Sequence, residues 1–288
     1  MAKSKTIIKS KPLNIQGMFA QPTVHFQSLR STVDMIFYAT QGGPFNIRQL
    51  ANKVELDDDL ETQIITVCAN NYYSGKTPIL QIGQAIRRLG PIGFRAVAMQ
   101  AFLDLDVYKN PQWTKAASKI QSYSKAVAHA CRIVSNHISQ KQDLAFLTGM
   151  LHRVGISVPL LQLPGPKEDM LQSQRIATAL SISHPFIAQR ILRAWGMADE
   201  LVDAIAGYGQ IFRHDQPNIL SAILIVAEEL VQRIGIPEPV LIGTRESLSA
   251  ISKETMEHAA IILDISKHET HLLLESLQEA LNSASQKI

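Results

Sequence analysis

The chain has 288 residues, enough to bury a sizeable core, and its 46% hydrophobic content is that of an ordinary globular protein. Its formal charge of +3 rests on Lys3, Lys5, Lys9 and Lys11, which precede the first acid at Asp34; the rest of the chain carries a net −1 and presents no broad basic footprint for nucleic acid. The longest apolar runs, 156–163 and 222–227, fall well short of the roughly 20 residues that span a bilayer, and the N-terminus lacks the apolar core of a secretory signal, so a cytoplasmic, bacterial-type protein without membrane association is expected.

Residues 1–17 read as a basic, flexible tail. Pro22 suits a first helical turn, with Phe26, Leu29, Val33, Ile36 and Phe37 following at helical spacing until Gly42-Gly43-Pro44. Asn46 is placed to cap a helix bearing Ile47, Leu50 and Val54. Asp57, Asp58 and Asp59 put negative charge on the first turn of the next, which carries Leu60, Ile64 and Val67 inward. Pro78 is expected to open a helix with Ile79, Ile82, Ile86 and Leu89, closed by Gly90-Pro91, and Phe94, Val97, Phe102 and Leu105 continue the pattern.

A long helix is predicted over about 113–138, with Ile120, Tyr123, Val127, Cys131 and Val134 on its buried side. Asp143 is expected to cap the helix that carries His152, and 164–166 to form a loop. Amphipathic helices follow at 185–195 and 198–208 and a strongly apolar one at 219–234, then a Pro/Gly-rich connector at 235–243 and a helical tail at 247–283. Cys68 and Cys131 are too few for a disulfide framework and read as reduced, buried thiols. No segment alternates as a strand does, and no fixed-period repeat is present, so the fold class is all-α with many short helices that depend on mutual burial.

Two stretches together resemble the HDOD domain, a helical module related to the HD metal-dependent phosphohydrolases. The first is "VCANNYYSGKTPILQIGQAIRRLGPIGFRAVAM", residues 67–99, where Ala69, Asn70, Ala85, Ile86, Leu89 and Gly90 match the family pattern, while Asn71 and Ser74 fit it loosely. The second combines "GMLHRVG" at 149–155, "SHPFIAQRILRAWGMADELVDAI" at 183–205 and "LIVAEELVQRIG" at 224–235. The resemblance spans residues 20–235. It implies an N-terminal helical half at 18–110, an HD-like half at 111–235 and a C-terminal helical extension at 236–288.

An HD hydrolase gathers histidines and carboxylates from several helices around one or two divalent ions that activate water. Laid on this chain, the family pattern puts its early His at Tyr123, its His-Asp pair at His152 and Arg153, its further histidines at His184 and Tyr208, and its late Asp at Glu228. Only His152, His184 and Glu228 remain as metal ligands, and a guanidinium replaces the central carboxylate, offering repulsion and no lone pair. A long basic side chain ordinarily reaches water, so the simpler expectation is that Arg153 points to solvent beside a decayed motif. The alternative is that Arg153 replaces the metal as the positive centre and pairs with Glu228. By the same reasoning His152 is expected to be a core histidine, and His184, just before Pro185, a residue of a helix start.

Other constellations fail on spacing. The histidines of His268-Glu269-Thr270-His271 are three apart rather than the four of HExxH, and with His258 they read as a polar helix face. "GTRESLSA" at 243–250 lacks the end of a phosphate loop, and Pro159 stands where "GISVPL" would need the second glycine of a nucleophile elbow. No cofactor is implied. The expected function is a non-catalytic signalling module acting through a protein partner and biased by a small anionic or nucleotide ligand at Arg153. The alternatives are a metal-dependent phosphohydrolase using His152, His184 and Glu228, and nucleic-acid binding through the lysine tail, ranked last. Oligomeric state is open.

Overall fold

Helices supply nearly all the regular structure of the computed structural model, which describes residues 17, 30–40, 46–69, 77–109, 111–140, 142–163, 170–213, 215–239 and 252–285. Expectations for the lysine tail, Pro22, Phe26, Leu29, residues 42–44, Asn70–Gly75, the loop 164–166 and "GTRESLSA" lie outside the described residues.

Helix α1 (Ser31–Ala39) buries Val33, Ile36 and Phe37. Helix α2 (Ile47–Val54) starts where Asn46 Oδ1 accepts from Gln49 N at 3.0 Å. Helix α3 (Asp58–Cys68) is capped by Asp57, which accepts from Leu60 N at 3.3 Å, so the aspartate triplet supplies a cap and two first-turn charges. Helix α4 (Ile82–Phe102) starts four residues beyond Pro78, because Gln81 is still extended. At Gly90 it kinks without ending: a left-handed φ of 67° breaks the ladder, and Pro91, whose ring has a helical φ, restarts it. A π-helical turn (Leu103–Val107) then points Asp106 at Arg30 (2.6 Å from Nε) and Asp104 at Lys125 (2.8 Å). Arg30 also holds Asp57 at 2.9 Å, tying the start of α1 to the cap of α3.

Helix α5 (Thr114–His137) has the predicted extent and buried face. Helix α6 (Gln142–Leu151) contains Asp143 in its first turn instead of at its cap, and it ends one residue before His152. Helix α7 (Val154–Leu160) follows at once. Helix α8 (Met170–Ala194) runs straight through Pro185, so His184 lies mid-helix, not at a helix start. Pro185 gives up one ladder bond there, a loss the long flanking helix tolerates. After α9 (Asp199–Ala206) comes a two-residue antiparallel ladder, β1 (Phe212–Arg213) with β2 (Gln216–Pro217), too short to show a strand period. Helix α10 (Ile219–Arg233) is capped by Asn218, and α11 (Lys253–Ile262) and α12 (Lys267–Ser285) form the tail.

Two apolar clusters form the core. One joins α1–α4 to faces of α6, α7, α8 and α9; the other joins α5 and α10 to α11 and α12 through Ala259, Leu263, Leu273 and Leu277. Cys68 and Cys131 are buried and free. Among the described residues no helix is long and apolar enough to cross a membrane.

Both glycines of "GMLHRVG" are points of backbone contact. A Cβ at Gly149 would stand 2.5 Å from Ala128 Cα on α5, and one at Gly155 would stand 2.1 Å from the carbonyl oxygen of His184 on α8. The motif is thus pinned between two helices at its two ends. Gly155→Ala is expected to cost about 3 kcal/mol or more, since the obstruction is backbone with no side chain to swing away. Urea unfolding of the variant against the parent measures it, and a loss below 1 kcal/mol contradicts the close approach.

Candidate functional site

Arg153 stands at the N-cap position of α7, where its carbonyl accepts from Ile156 N (2.9 Å) and Ser157 N (3.0 Å). The turn between α6 and α7 directs its side chain inward, and the residue is 0% exposed. The expectation of a solvent-facing Arg153 is therefore corrected. Nη2 donates to Glu228 Oε1 at 2.9 Å and to Glu238 Oε1 at 2.6 Å. The guanidinium carbon lies 5.4 Å from the Tyr208 ring centroid and 5.9 Å from that of Tyr123, within reach of cation–π attraction.

Glu228 reaches this point because α10 is apolar on almost every face, with Leu224, Ile225, Ala227, Leu230 and Val231 all buried. Such a helix is buried over most of its surface, and its buried carboxylate, Glu228, must be answered inside. Besides Arg153, Glu228 accepts from the Tyr208 hydroxyl at Oε2. Burial alone would raise the pKa of Glu228, but the charge of Arg153 and the contacts of His152 and Tyr208 lower it to about 2. Arg153 moves the opposite way: burial would lower its pKa, and the charge of Glu228, then Tyr208 and Glu238, raises it further above its ordinary value.

His152 is 1% exposed, and its Nδ1–H donates to Gly149 O at 2.6 Å. That bond leaves Nε2, the nitrogen a metal would take, 3.3 Å from Glu228 Oε1 and off the hydrogen-bonding direction. Its ring lies 5.8 Å from Tyr123. His184 packs 5.8 Å from the Tyr208 ring, and burial, then the charge of Arg153, lower its pKa to about 3. The Nδ1 of His184 is buried with no hydrogen-bond partner among the described residues. Burial and the charge of Glu228 raise the Tyr123 hydroxyl against the opposing charge of Arg153.

The other five sequence-indicated positions, Tyr123, His152, His184, Tyr208 and Glu228, thus gather around the guanidinium of the sixth, Arg153. The participant missed in the sequence is Glu238, 8% exposed, on the segment just beyond α10. It stands in Ile-Pro-Glu-Pro within a connector, where no helical or strand period marks a side chain as inward.

These residues do not fit a metal. A cation stands where an HD hydrolase needs a carboxylate, and it already contacts Glu228, the late acidic position. A divalent ion about 4 Å from that guanidinium would meet about 8 kcal/mol of repulsion at an effective dielectric of 20. Among the described residues no three His, Cys, Asp or Glu side chains group as metal ligands. Acid–base chemistry is also poorly served, because arginine does not give up its proton and Glu228 and His184 hold their charge states across the neutral range.

The sequence pattern of the HDOD domain family matches residues 27–211. No curated protein matches the chain. An HDOD domain protein of unknown function from Geobacter sulfurreducens shares the fold at a TM-score of 0.68 and 16% identity, over 95% of each chain. A proposed metal-dependent phosphohydrolase from Shewanella amazonensis superposes with a TM-score of 0.68 at 14% identity, over 93% of this chain and 96% of its own. A proposed signal transduction protein from Marinobacter aquaeolei gives 0.59 at 19% identity, over 90% of this chain and 58% of its own. At these identities the likeness establishes the fold alone.

Two predictions follow from the geometry. Arg153→Ala leaves two buried carboxylates without their cation and is expected to cost about 3–5 kcal/mol in chemical denaturation; a loss under 1 kcal/mol would mean the carboxylates are not confined as described. Stability should also fall with acid. His184 is lowered to about 3 and His129 to about 4 from an ordinary 6.5, so below 6.5 the unfolded chain takes up protons that the folded chain refuses. Glu228, lowered from 4.5 to about 2, adds a further loss as pH falls below 4.5. Melting temperature is expected to drop steadily from pH 7 to pH 4, with a shallower slope in His129→Gln/His184→Gln; equal slopes in parent and variant refute the assignment.

Proposed function

The chain belongs to the HDOD family, and from that membership we propose that it is a non-catalytic signal-transduction module that works through protein contacts. Family membership supports a signalling role at the coarse level. The observation that carries the non-catalytic reading is Arg153, fully buried at the position where the family pattern has a metal-binding Asp and paired through Nη2 with Glu228 and Glu238.

A protein of this kind acts by presenting one of two arrangements to a partner. The natural movable boundary lies between the helical N-terminal half and the HD-like half. A small anionic ligand, a nucleotide among them, would compete at Arg153 with the Glu238 carboxylate, which shares the guanidinium nitrogen Nη2 with Glu228. The reduced thiols of Cys68 and Cys131 suit a cytoplasmic setting.

The reading is tested on the untagged chain, purified without chelator, by elemental mass spectrometry and by turnover of a phosphodiester such as bis-p-nitrophenyl phosphate with added Mn²⁺. Metal well below one ion per chain and no turnover are expected. Near-stoichiometric Fe, Mn, Zn or Ni, with activity lost in His152→Ala, would overturn the reading in favour of a hydrolase.

A further inference from the structure

A cavity of about 230 Å³ opens between α8, α9 and the β1–β2 hairpin, outside the Arg153 network. Its walls carry Gln189, Asp203, Gln210, Phe212, Arg213 and Asn218. The two charged groups pair with one another, so the cavity offers no net charge to an occupant. The side-chain amides of Gln189 and Gln210 hydrogen-bond to nothing else among the described residues. Asn218 Oδ1 is committed to Ser221 N at 3.1 Å, which leaves its Nδ2 as a donor. Phe212 is 54% exposed at the rim.

Each feature narrows the ligand. Uncommitted primary amides present a donor beside an acceptor, the pattern that complements the hydrogen-bonding edge of a heterocyclic base. An exposed aromatic face beside them accepts a planar ring by stacking. The cavity is smaller than the roughly 300 Å³ at which drug-sized pockets begin, a size for a base with or without its sugar. Arg213 is neutralised by Asp203, so a phosphate gains little.

We propose that this cavity is a binding site for a nucleobase or nucleoside, recognised by Gln189, Gln210 and Asn218 and stacked on Phe212. Its position gives occupancy a route to the interior. Gly207 lines the cavity, the next residue is Tyr208, whose hydroxyl bonds Glu228, and Asn218 caps the helix that bears Glu228. The proposal is independent of whether Arg153 itself meets an anion.

Isothermal titration of the full chain with adenosine, guanosine, cytidine and uridine, and with their 5′-monophosphates, provides the test. At least one nucleoside is expected to bind saturably at one per chain, with no preference for its monophosphate. Phe212→Ala and Gln210→Ala, both at exposed positions that should leave folding intact, are each expected to weaken it about fivefold or more. No saturable binding by any nucleoside overturns the proposal. So does undiminished binding in both variants, or a monophosphate preference that Arg213→Ala abolishes.

Discussion

A guanidinium without solvent exposure has to be answered by carboxylates, and elements from α5 to the segment after α10 are arranged around that requirement. Removing such an ion from water costs several kcal/mol, which only close, well-directed partners offset. Here the partners lie 75 and 85 residues along the chain, one on a helix buried on nearly every face and one on the segment just after it. The rings of Tyr123 and Tyr208 cover the ion from α5 and from the end of α9. A short turn, two helices and a connector are thereby held to one point by charge.

The glycine contacts act on the same turn from outside. With α6 pressed on α5 at Gly149 and α7 on α8 at Gly155, the segment carrying His152 and Arg153 has little room to move independently. Helix α5 belongs to both apolar clusters, contributing Ile120 and Ala128 to one and Tyr123, Val127 and Cys131 to the other. Strain at the Arg153 network is therefore felt by the helix the two clusters share.

Helical periodicity made the fold legible, as in the buried stripe of α5 and the caps at Asn46 and Asp57. Errors fell where local chemistry points one way and tertiary packing another. Pro185 reads as a helix start but is carried inside α8, and Gly90-Pro91 reads as a stop but makes a kink. Arg153 and the five positions around its guanidinium were legible because the motifs preserve their order. The inward course of Arg153 was not, since the usual preference of a long cation for water is reversed only by partners distant in sequence. Glu238 was invisible for a related reason: between two prolines, no neighbouring residue reports which way it faces.

The shared nitrogen of Arg153 also bears on the paths by which such a protein can change. A carboxylate placed at 153 would stand against Glu228 and Glu238 with no counter-charge, while losing Glu238 first would leave Arg153 and Glu228 to share the burial alone. Each single step runs through a less stable intermediate, so the arrangement behaves as a ratchet. With both carboxylates on the guanidinium, a change from this ion network to a metal site requires coordinated replacements at 153 and its partners rather than one substitution.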